Sequence, residues 1–438
     1  MSNDNPRSPV EPAAGGRRAD DLPTRHGPEA AAAARLWTPG FVLASIASGL
    51  VFFNAHLLLS TFAAQSMSRF AVGDATGGLV ASIFIVGALV SRVFAGPLME
   101  RFPHKALFAA GMAVFVAMPP LHLLIDSLGL TIAARILHGM AFGICSSVVA
   151  TVAVSRIPRL RVGEGTSHYA SSTVIGVAAG ALVGLALSRA LGFDAVLWLA
   201  SATSLVSVLL LLTVPADPRA APPRAAGRVP ADPAGPAPVG PDAAPPARRG
   251  PWARLLEPAV LPIAAVGGLF TIGYASIVTY LGVFADERGL GPGVSFFFLA
   301  YAVAVLASRP WTGPLMDRRG YNPVMLPAFA VFAAGLVLLA TATSLPWLLA
   351  AAVLVGLGQG NLLSAAQTIA VTRVPRERIG MATSTFFLGI DAGMGFGPMV
   401  AGLLVQAHGT ATTYLTLGLF VVAVGGLYWA VQGRRLGA

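Results

Sequence analysis

Long apolar segments occur along almost the whole of this chain, and they limit the folds that are open to it. Of its 438 residues, 55% are hydrophobic and only 11% are charged, whereas roughly 25% of residues are charged in a soluble domain. The apolar runs, of about 18 to 25 residues, are long enough to cross a ~30 Å hydrocarbon layer as helices. The alternating pattern of a membrane barrel is absent. Because a helix satisfies its backbone groups within the segment, we predict an all-α membrane protein.

An eleven-residue motif occurs twice, as SRVFAGPLMER at 91–101 and as SRPWTGPLMDR at 308–318. Aligning Arg92 with Arg309 gives an offset of 309 − 92 = 217 residues. The same offset relates AVSRIPR at 153–159 to AVTRVPR at 370–376. A constant offset over such a length indicates one ancestral half used twice.

Twelve apolar segments divide into two groups of six. The first six lie near 37–65, 76–98, 104–125, 129–155, 164–189 and 192–214, and the last six near 257–285, 293–315, 322–343, 346–372, 378–406 and 411–431. The stretch between the groups is rich in Pro and Ala, which suits an extended linker. We therefore expect a disordered tail (1–35), an N-terminal six-helix lobe (36–214), a disordered linker (215–255), a C-terminal six-helix lobe (256–431) and a short tail (432–438).

The basic residues are distributed unevenly over the two sides of these segments. If both termini are cytoplasmic, the inner segments hold 23 of the 29 Lys and Arg residues. This is the asymmetry that the positive-inside rule requires. The net charge of +10 therefore reflects orientation and not a nucleic-acid partner. We expect a multi-pass protein of the cytoplasmic membrane, in contact with the lipid bilayer.

The repeated motif resembles the inner-loop motif of the major facilitator superfamily, which reads roughly G-x-L-x-D-R-x-G-R-K. The first copy has Gly96, Leu98, Glu100, Arg101 and Lys105, with Pro103 where Gly is usual, and the second has Gly313, Leu315, Asp317, Arg318 and Gly320. The resemblance covers about residues 37–431. It implies twelve transmembrane helices in two six-helix lobes, the major facilitator fold, with a small-molecule site near the midplane between the halves. We expect the chain to function as a monomer without a cofactor.

The fourth apolar segment is similar to the R-x-x-x-G pattern of the drug–proton antiporter branch, with Arg135 and Gly139 in the matching places. The Gly-Pro that this branch usually carries in span 5 is absent there and stands in span 11, at Gly397 and Pro398. The stretch RVGEGTSHY at 161–169 is similar to one in efflux proteins that include opine-type metallophore exporters. The resemblance implies proton-coupled efflux and a role for Arg135 in proton coupling. The alternative for Arg135 is a side chain that snorkels outwards.

Asp391 is the candidate proton carrier. It lies 391 − 378 = 13 residues past Arg378, the last charge before its span, and hence ~20 Å along the helix. An ionisable group at that depth is costly and marks a functional site by default. Desolvation favours the neutral acid, so such a carboxyl group can take up and release a proton. The alternative is a carboxylate that a neighbouring helix binds for packing.

Charged residues and glycines at the inner ends of several spans are candidates for an inner gate. Arg92 and Arg309 lie four residues before Gly96 and Gly313, near enough to the surface to snorkel. The glycines would allow tight turns and a close approach of spans 2 and 11 and of spans 8 and 5. Glu164 would pair with basic loop residues, and a proton relay with His168 is the alternative. The full expected set is Arg92, Gly96, Glu100, Arg101, Lys105, Glu164, Arg309, Gly313, Asp317 and Arg318.

Spans 1, 4, 7 and 10 line the central pathway in the family that the chain resembles. Besides Arg135, their polar or aromatic mid-span residues are Asn54, His56, Thr271, Tyr274, Gln359 and Asn361. Each of these alone is more often a helix–helix hydrogen bond than a ligand contact. The otherwise apolar lining suits an amphipathic substrate.

The sequence has no zinc-type Cys/His spacing and no Walker phosphate loop, so we expect no metal site, no ATP-driven transport and no enzyme. The leading interpretation is a proton-coupled exporter of a small amphipathic organic molecule, either a drug or a metabolite. A proton-coupled importer or symporter and a metallophore exporter are alternatives within transport. Outside transport, the alternative is a membrane sensor that keeps the fold but moves no substrate.

Overall fold

The computed structural model describes residues 35–215, 255–291, 294 and 296–434, with the side chains of Asp74 and Ala75 excepted. The predicted disorder of 1–34 and of 216–254 lies outside the described residues, as does the end of the chain from 435. The five predicted regions therefore stay a prediction.

The described residues contain helices and no strand, which confirms the all-α class. The first group of helices comprises α1 (Pro39–Phe70), α2 (Asp74–Arg101), α3 (His104–Leu121), α4 (Leu128–Ser155), α5 (Val162–Leu191) and α6 (Phe193–Thr213). The second comprises α7 (Leu261–Glu287), α8 (Phe296–Arg319), α9 (Asn322–Ala340), α10 (Leu345–Thr372) and α11 (Ile379–Tyr428). Short 3-10 turns occur at His122–Leu124, Arg159–Arg161 and Arg376–Arg378, and a π-helical turn at Trp429–Gly433 follows α11.

Helix α11 contains a break at Gly409. The element has 50 residues, which would make a straight helix ~75 Å long, far more than a bilayer needs. Gly409 has φ 79° and ψ 169°, a conformation that costs glycine little because it has no Cβ. The break divides the element into helical segments 379–408 and 410–428, close to the predicted spans 378–406 and 411–431.

Ten helical stretches among the described residues are long and apolar enough to cross a membrane. They include α1 to α7, α9, α10 and the region Arg376–Gly433 that contains the break. The 24-residue helix α8 is not among them. Large apolar side chains such as Leu182, Leu403 and Leu419 are more than half exposed, as expected for surfaces that face lipid.

Two helix pairs related by the repeat pack through glycine. A methyl group at Gly176 of α5 would collide with the carbonyl of Gly49 in α1, and one at Gly393 of α11 would collide with the carbonyl of Gly268 in α7. The glycines of α5 and α11 correspond by the offset, because 393 − 176 = 217, and their partners in α1 and α7 lie 268 − 49 = 219 residues apart. Small residues let the backbones approach closely where hydrophobic burial gives no driving force between helices.

The charged ends of α2 and α8 lie at one end of the bundle, with the beginnings of α5 and α11. Glu100 of α2 lies 4.0 Å from Arg378, which precedes α11, and Asp317 of α8 accepts a hydrogen bond from the backbone of Glu164 in α5. We call this the motif end and define it by these four residues. Here the first group of helices meets the second.

Candidate functional site

An ion pair joins α2 of the first group to α11 of the second. The Nε of Arg92 donates to Oδ2 of Asp391. The same guanidinium donates to Oγ of Ser147 at 2.8 Å and to the carbonyl of Gly143 at 3.2 Å, both on α4. Arg92 thus binds a carboxylate of one helix group and polar atoms of the other.

The surroundings of this pair are apolar and aromatic. The guanidinium of Arg92 lies 4.6 Å from the ring centroid of Phe387 and 5.8 Å from that of Phe142. The side chain of Arg92 is 1% exposed and that of Asp391 is 14% exposed. Water screens such a pair little, so removal of one partner leaves an uncompensated charge in a low dielectric.

The expectation that Arg92 and Arg309 snorkel to the surface is wrong, because both side chains are only 1% exposed. Arg92 lies 101 − 92 = 9 residues before Arg101, or ~14 Å along the helix. That depth is within a side-chain length of the ~20 Å inferred for Asp391. A comparison of the two depths in the sequence was therefore the signal that could have paired them.

Arg309 of α8 makes most of the corresponding contacts in the second group of helices. Its guanidinium donates to Oγ of Ser364 and, at 3.2 Å, to the carbonyl of Gly360 on α10. With the offset of 217, these are the counterparts of Ser147 and Gly143. The Nε of Arg309 has no hydrogen-bond partner among the described residues. The third bond that Arg92 makes thus has no equivalent here.

Two residues predicted for the substrate cavity, Tyr274 and Gln359, both contact Tyr301 of α8. The ring of Tyr274 stacks on that of Tyr301, with centroids 5.2 Å apart and planes at 27°. The hydroxyl of Tyr301 donates to Oε1 of Gln359 at 2.5 Å. Sequence reasoning missed Tyr301, because α8 was not among the spans expected to line the pathway.

Other predicted cavity residues serve helix packing in this structure. Asn54 donates to the carbonyl of Ala200 at 2.5 Å and to Ser204 at 2.7 Å, both on α6. Asn361 donates to Ser308 of α8 at 3.0 Å. These two amides bond to neighbouring helices, which is the alternative that we weighed against ligand contact.

Thr271 and His56 interact within their own helices. Thr271 is buried, and its hydroxyl donates to the carbonyl of Gly267 at 2.7 Å. Nδ1 of the half-buried His56 lies 3.0 Å from the carbonyl of Phe52. Neither contact reaches another helix.

Arg135 is fully buried within the first group of helices. Its guanidinium lies 4.4 Å from the ring centroid of Phe62 and 4.8 Å from that of Phe84. It donates to the carbonyls of Val80 at 3.4 Å and Ala81 at 3.1 Å on α2. Helix carbonyls and aromatic faces thus compensate its charge, and no carboxylate is paired with it among the described residues. Its part in proton coupling stays a prediction.

Asp317 ties α8 to the beginning of α5. Its carboxylate accepts hydrogen bonds from the backbone N–H groups of Gly163, at 2.6 Å, and Glu164, at 2.9 Å. Negative charge is stabilised at a helix N-terminus, where the N–H groups lack helical partners. The side chain of Glu164 pairs with Arg161, at 2.6 and 2.8 Å. Asp317 and not the Glu164 side chain therefore makes the contact between helix groups.

The corresponding contact of α2 with α11 is looser. Glu100 is 46% exposed on its side chain and lies 4.0 Å from Nε of Arg378, whereas Arg378 approaches Glu257 to 2.9 Å. Lys105 donates to the carbonyl of Leu212 at 2.8 Å. The remaining predicted gate cations, Arg101 and Arg318, are exposed.

The predicted close approach at the motif glycines is present, but the predicted turns are wrong. A methyl group at Gly313 would lie 2.8 Å from Cα of Glu164, and one at Gly96 would lie 3.2 Å from Cα of Met381. The helices continue past both glycines, α2 to Arg101 and α8 to Arg319. The missing side chain is thus used for contact between helices.

Comparisons with known proteins agree with this architecture. The family model described as Major Facilitator Superfamily matches residues 41–305 and 293–435. Over 376 residues, the chain is 24% identical to the "Uncharacterized MFS-type transporter YhhS" of Escherichia coli strain K12, covering 82% of this chain and 84% of that protein. It is 29% identical over 167 residues to the "Multi-drug resistance efflux pump PmrA" of Streptococcus pneumoniae serotype 4. That match spans 37% of this chain and only 42% of the length of the relative.

Solved structures share the fold at low sequence identity. The human organic anion transporter MFSD10 has a TM-score of 0.69 and 13% identity, over 89% of this chain and 98% of that chain. The proton:xylose symporter XylE has a TM-score of 0.68 and 13% identity, over 90% and 95% of the two chains. At this identity the likeness concerns the fold alone.

Proposed function

Because the chain belongs to the major facilitator superfamily, a family of membrane transporters and not of enzymes, we propose that it is a proton-coupled exporter of a small amphipathic organic molecule that works by alternating access. The observation that carries this proposal is the buried pair of Arg92 and Asp391, which joins α2 to α11. The name of the efflux-pump relative supports the direction of transport.

We place twelve transmembrane helices in the chain, six in each of two lobes. The two segments of α11 on either side of Gly409 and the 24-residue helix α8 complete the count. With both termini cytoplasmic, as the positive-inside rule favours, the motif end faces the cytoplasm. The chain acts as a monomer in the cytoplasmic membrane, with the substrate site between the lobes.

Protonation of Asp391 is the coupling step. The carboxylate loses its charge, whereas Arg92 keeps its own, because guanidinium is not deprotonated in proteins. The pair between α2 and α11 is then weakened, and the lobes separate at the motif end. Loss of the proton restores the carboxylate and closes that end again. A proton that enters the site thus changes which side of the membrane the substrate site faces.

The contacts at the motif end support the closed arrangement in the same cycle. Asp317 holds the beginning of α5 through two backbone N–H groups. Glu100 adds a longer interaction with Arg378, at 4.0 Å. These groups are nearer the surface, so each contributes less than the buried pair. They act as the inner gate, and Arg92 belongs to the coupling site as well as to the gate.

Import with a proton would follow from the same coupling step, and the name of the efflux-pump relative is what favours export. A metallophore exporter would use the same fold with a different cavity. A sensor that does not transport would not need contacts between the two groups of helices at both α2–α11 and α5–α8. We therefore favour transport.

The test is proton movement in proteoliposomes with an imposed pH gradient. Amphipathic drugs, siderophore-like chelators and sugars are added in turn to wild type, Asp391→Asn and the matched control Asp126→Asn. Asp126 belongs to a surface pair with Arg69 and its side chain is 91% exposed. Substrate-dependent collapse of the gradient in wild type and the control, and its loss in Asp391→Asn, is the expected result. Undiminished coupling in Asp391→Asn would reject Asp391 as the carrier.

A further inference from the structure

The corresponding arginines of the two halves, Arg92 and Arg309, differ in their hydrogen bonds. Arg92 makes three kinds of bond, to Ser147, to Gly143 and to Asp391. Arg309 makes the first two, to the equivalent serine and glycine. Its Nε, the atom that corresponds to the donor of the Arg92–Asp391 bond, has no partner among the described residues.

The repeat explains why this donor is unpaired. The residue that corresponds to Asp391 is Val174, because 391 − 217 = 174. Helix α5, which carries Val174, packs against α8 as α11 packs against α2. A valine side chain accepts no hydrogen bond, so by the offset α5 has an apolar residue at the position where α11 has a carboxylate.

An unpaired charged donor inside a protein is costly. The Arg309 side chain is 1% exposed, and a buried charge requires a compensating partner. Two titratable groups that interact with it electrostatically are the phenol of Tyr301 and the imidazole of His168 on α5. Neither carries negative charge at neutral pH. A partner with a negative charge is therefore lacking in the described part of the chain.

The side chains near Arg309 are more polar than their counterparts in the first half. With the offset of 217, Tyr301 and Gln359 replace Phe84 and Phe142. The second half therefore offers a hydroxyl that interacts electrostatically with Arg309 and an amide that is bonded to this hydroxyl. The first half offers aromatic faces at the equivalent places.

We propose that Arg309 binds the anionic group of the substrate, and that the substrate is an amphipathic organic anion with a carboxylate, sulfonate or phosphate group. The anion takes the position at Nε of Arg309 that Asp391 takes at Nε of Arg92. Tyr301 and Gln359 contribute polar contacts, and the aromatic first half receives the apolar remainder of the substrate. In the arrangement described here, α5 closes this position, and it opens when the lobes separate. The inference rests on the proposed transport function and names its substrate class.

The first test measures equilibrium binding without any gradient, so that it is independent of proton coupling. Full-length protein in phosphatidylcholine nanodiscs is titrated with 1-anilinonaphthalene-8-sulfonate and with its uncharged relative N-phenyl-1-naphthylamine, against empty nanodiscs. We expect wild type to prefer the sulfonate. Arg309→Lys and Arg309→Gln should weaken sulfonate binding about tenfold or more, the loss expected for a hydrogen bond to a charged group. The binding of the uncharged probe should change less than about twofold on the same scale.

The proposal would be overturned if the wild-type protein showed no preference for the sulfonate, or if it bound neither probe. An equal loss of both probes in the Arg309 variants would overturn it as well. The same titration in phosphatidylglycerol nanodiscs tests whether a lipid headgroup occupies the position at Nε of Arg309. If that anionic lipid alone abolishes sulfonate binding, the assignment to a soluble substrate is wrong.

The second test begins with thermal stability. Val174→Asp places a carboxylate at the position that corresponds to Asp391, and this carboxylate should pair with Arg309. It should therefore lower the unfolding temperature less in wild type than in an Arg309→Gln background, and it should block sulfonate binding. An equal destabilisation in both backgrounds would show that Arg309 does not face this position. Loss of proton coupling in Asp391→Asn with intact sulfonate selectivity, or the reverse, would separate the two proposals.

Discussion

The Nε of Arg92 donates to the carboxylate of Asp391, and the two residues lie 299 positions apart in the chain. This contact has no equivalent in the other half of the repeat, where Val174 stands in place of the aspartate. The pair is buried, lies between aromatic rings and joins two groups of helices. In the proposed cycle, this pair holds the two groups together and releases them when Asp391 is protonated.

Removal of either partner should destabilise the protein strongly and non-additively. Arg92→Gln leaves an unpaired carboxylate, and loss of one partner of a buried ion pair costs about 3–5 kcal/mol. We expect the Arg92→Gln, Asp391→Asn double variant to be more stable than the sum of the single effects allows. Thermal unfolding of the four proteins in detergent measures this double-mutant cycle. Strictly additive effects would show that the two side chains are not coupled.

Acidification should open the motif end through Asp391. At low pH the carboxyl group is protonated and its attraction to Arg92 is lost, so the closed state is favoured at higher pH. We expect the labelling of a cysteine introduced by Thr166→Cys, at the buried beginning of α5, to accelerate severalfold as the pH falls, after correction for thiol ionisation. In Asp391→Asn the labelling should be fast at every pH. The native Cys145 is buried and gives a low background. A pH response that survives in Asp391→Asn would assign the effect to another group.

Neutralising Glu100 and Asp317 at the motif end should also raise the access of the labelling reagent to the Thr166→Cys thiol. The increase should be smaller than the one caused by protonation of Asp391. Asp317→Asn weakens two hydrogen bonds to the beginning of α5, and hydrogen bonds to charged groups are worth about 1.5–3 kcal/mol. The same Thr166→Cys labelling should accelerate in this variant and further in the Glu100→Gln, Asp317→Asn pair. Asp194→Asn, in the first turn of α6, is the matched control. Unchanged labelling in the pair would remove these residues from the gate.

A methyl group added at Gly180 should push α5 away from α1. At Gly180 that methyl would collide with the carbonyl of Phe53, and overpacking costs about 1–3 kcal/mol. Gly180→Ala should therefore lower the unfolding temperature. Gly78→Ala provides the control, because no atom lies within 4 Å of its added Cβ and alanine is the better helix former. Equal unfolding temperatures for the two variants would contradict tight packing at Gly180.

Much of the architecture was predictable because it depends on local composition. Apolar run lengths predicted the helices, and the break at Gly409 lies between the predicted spans 378–406 and 411–431. The repeat aligned Arg92 with Arg309, and in the structure both bind a serine and a glycine carbonyl of the next-but-one helix. The repeat did not predict that only one of the two finds a carboxylate.

By itself, the sequence determined that this chain is a helical membrane protein of two related halves, because hydropathy and internal similarity are properties of neighbouring residues along the chain. Only the tertiary structure decided that Arg92 meets Asp391, that Asn54 and Asn361 bond to adjacent helices, and that Nε of Arg309 stays unpaired. Those outcomes depend on the rotation of each helix about its axis and on which helices pack together. A single sequence does not encode that information locally, so the repeat could relate the halves but not the contacts between them.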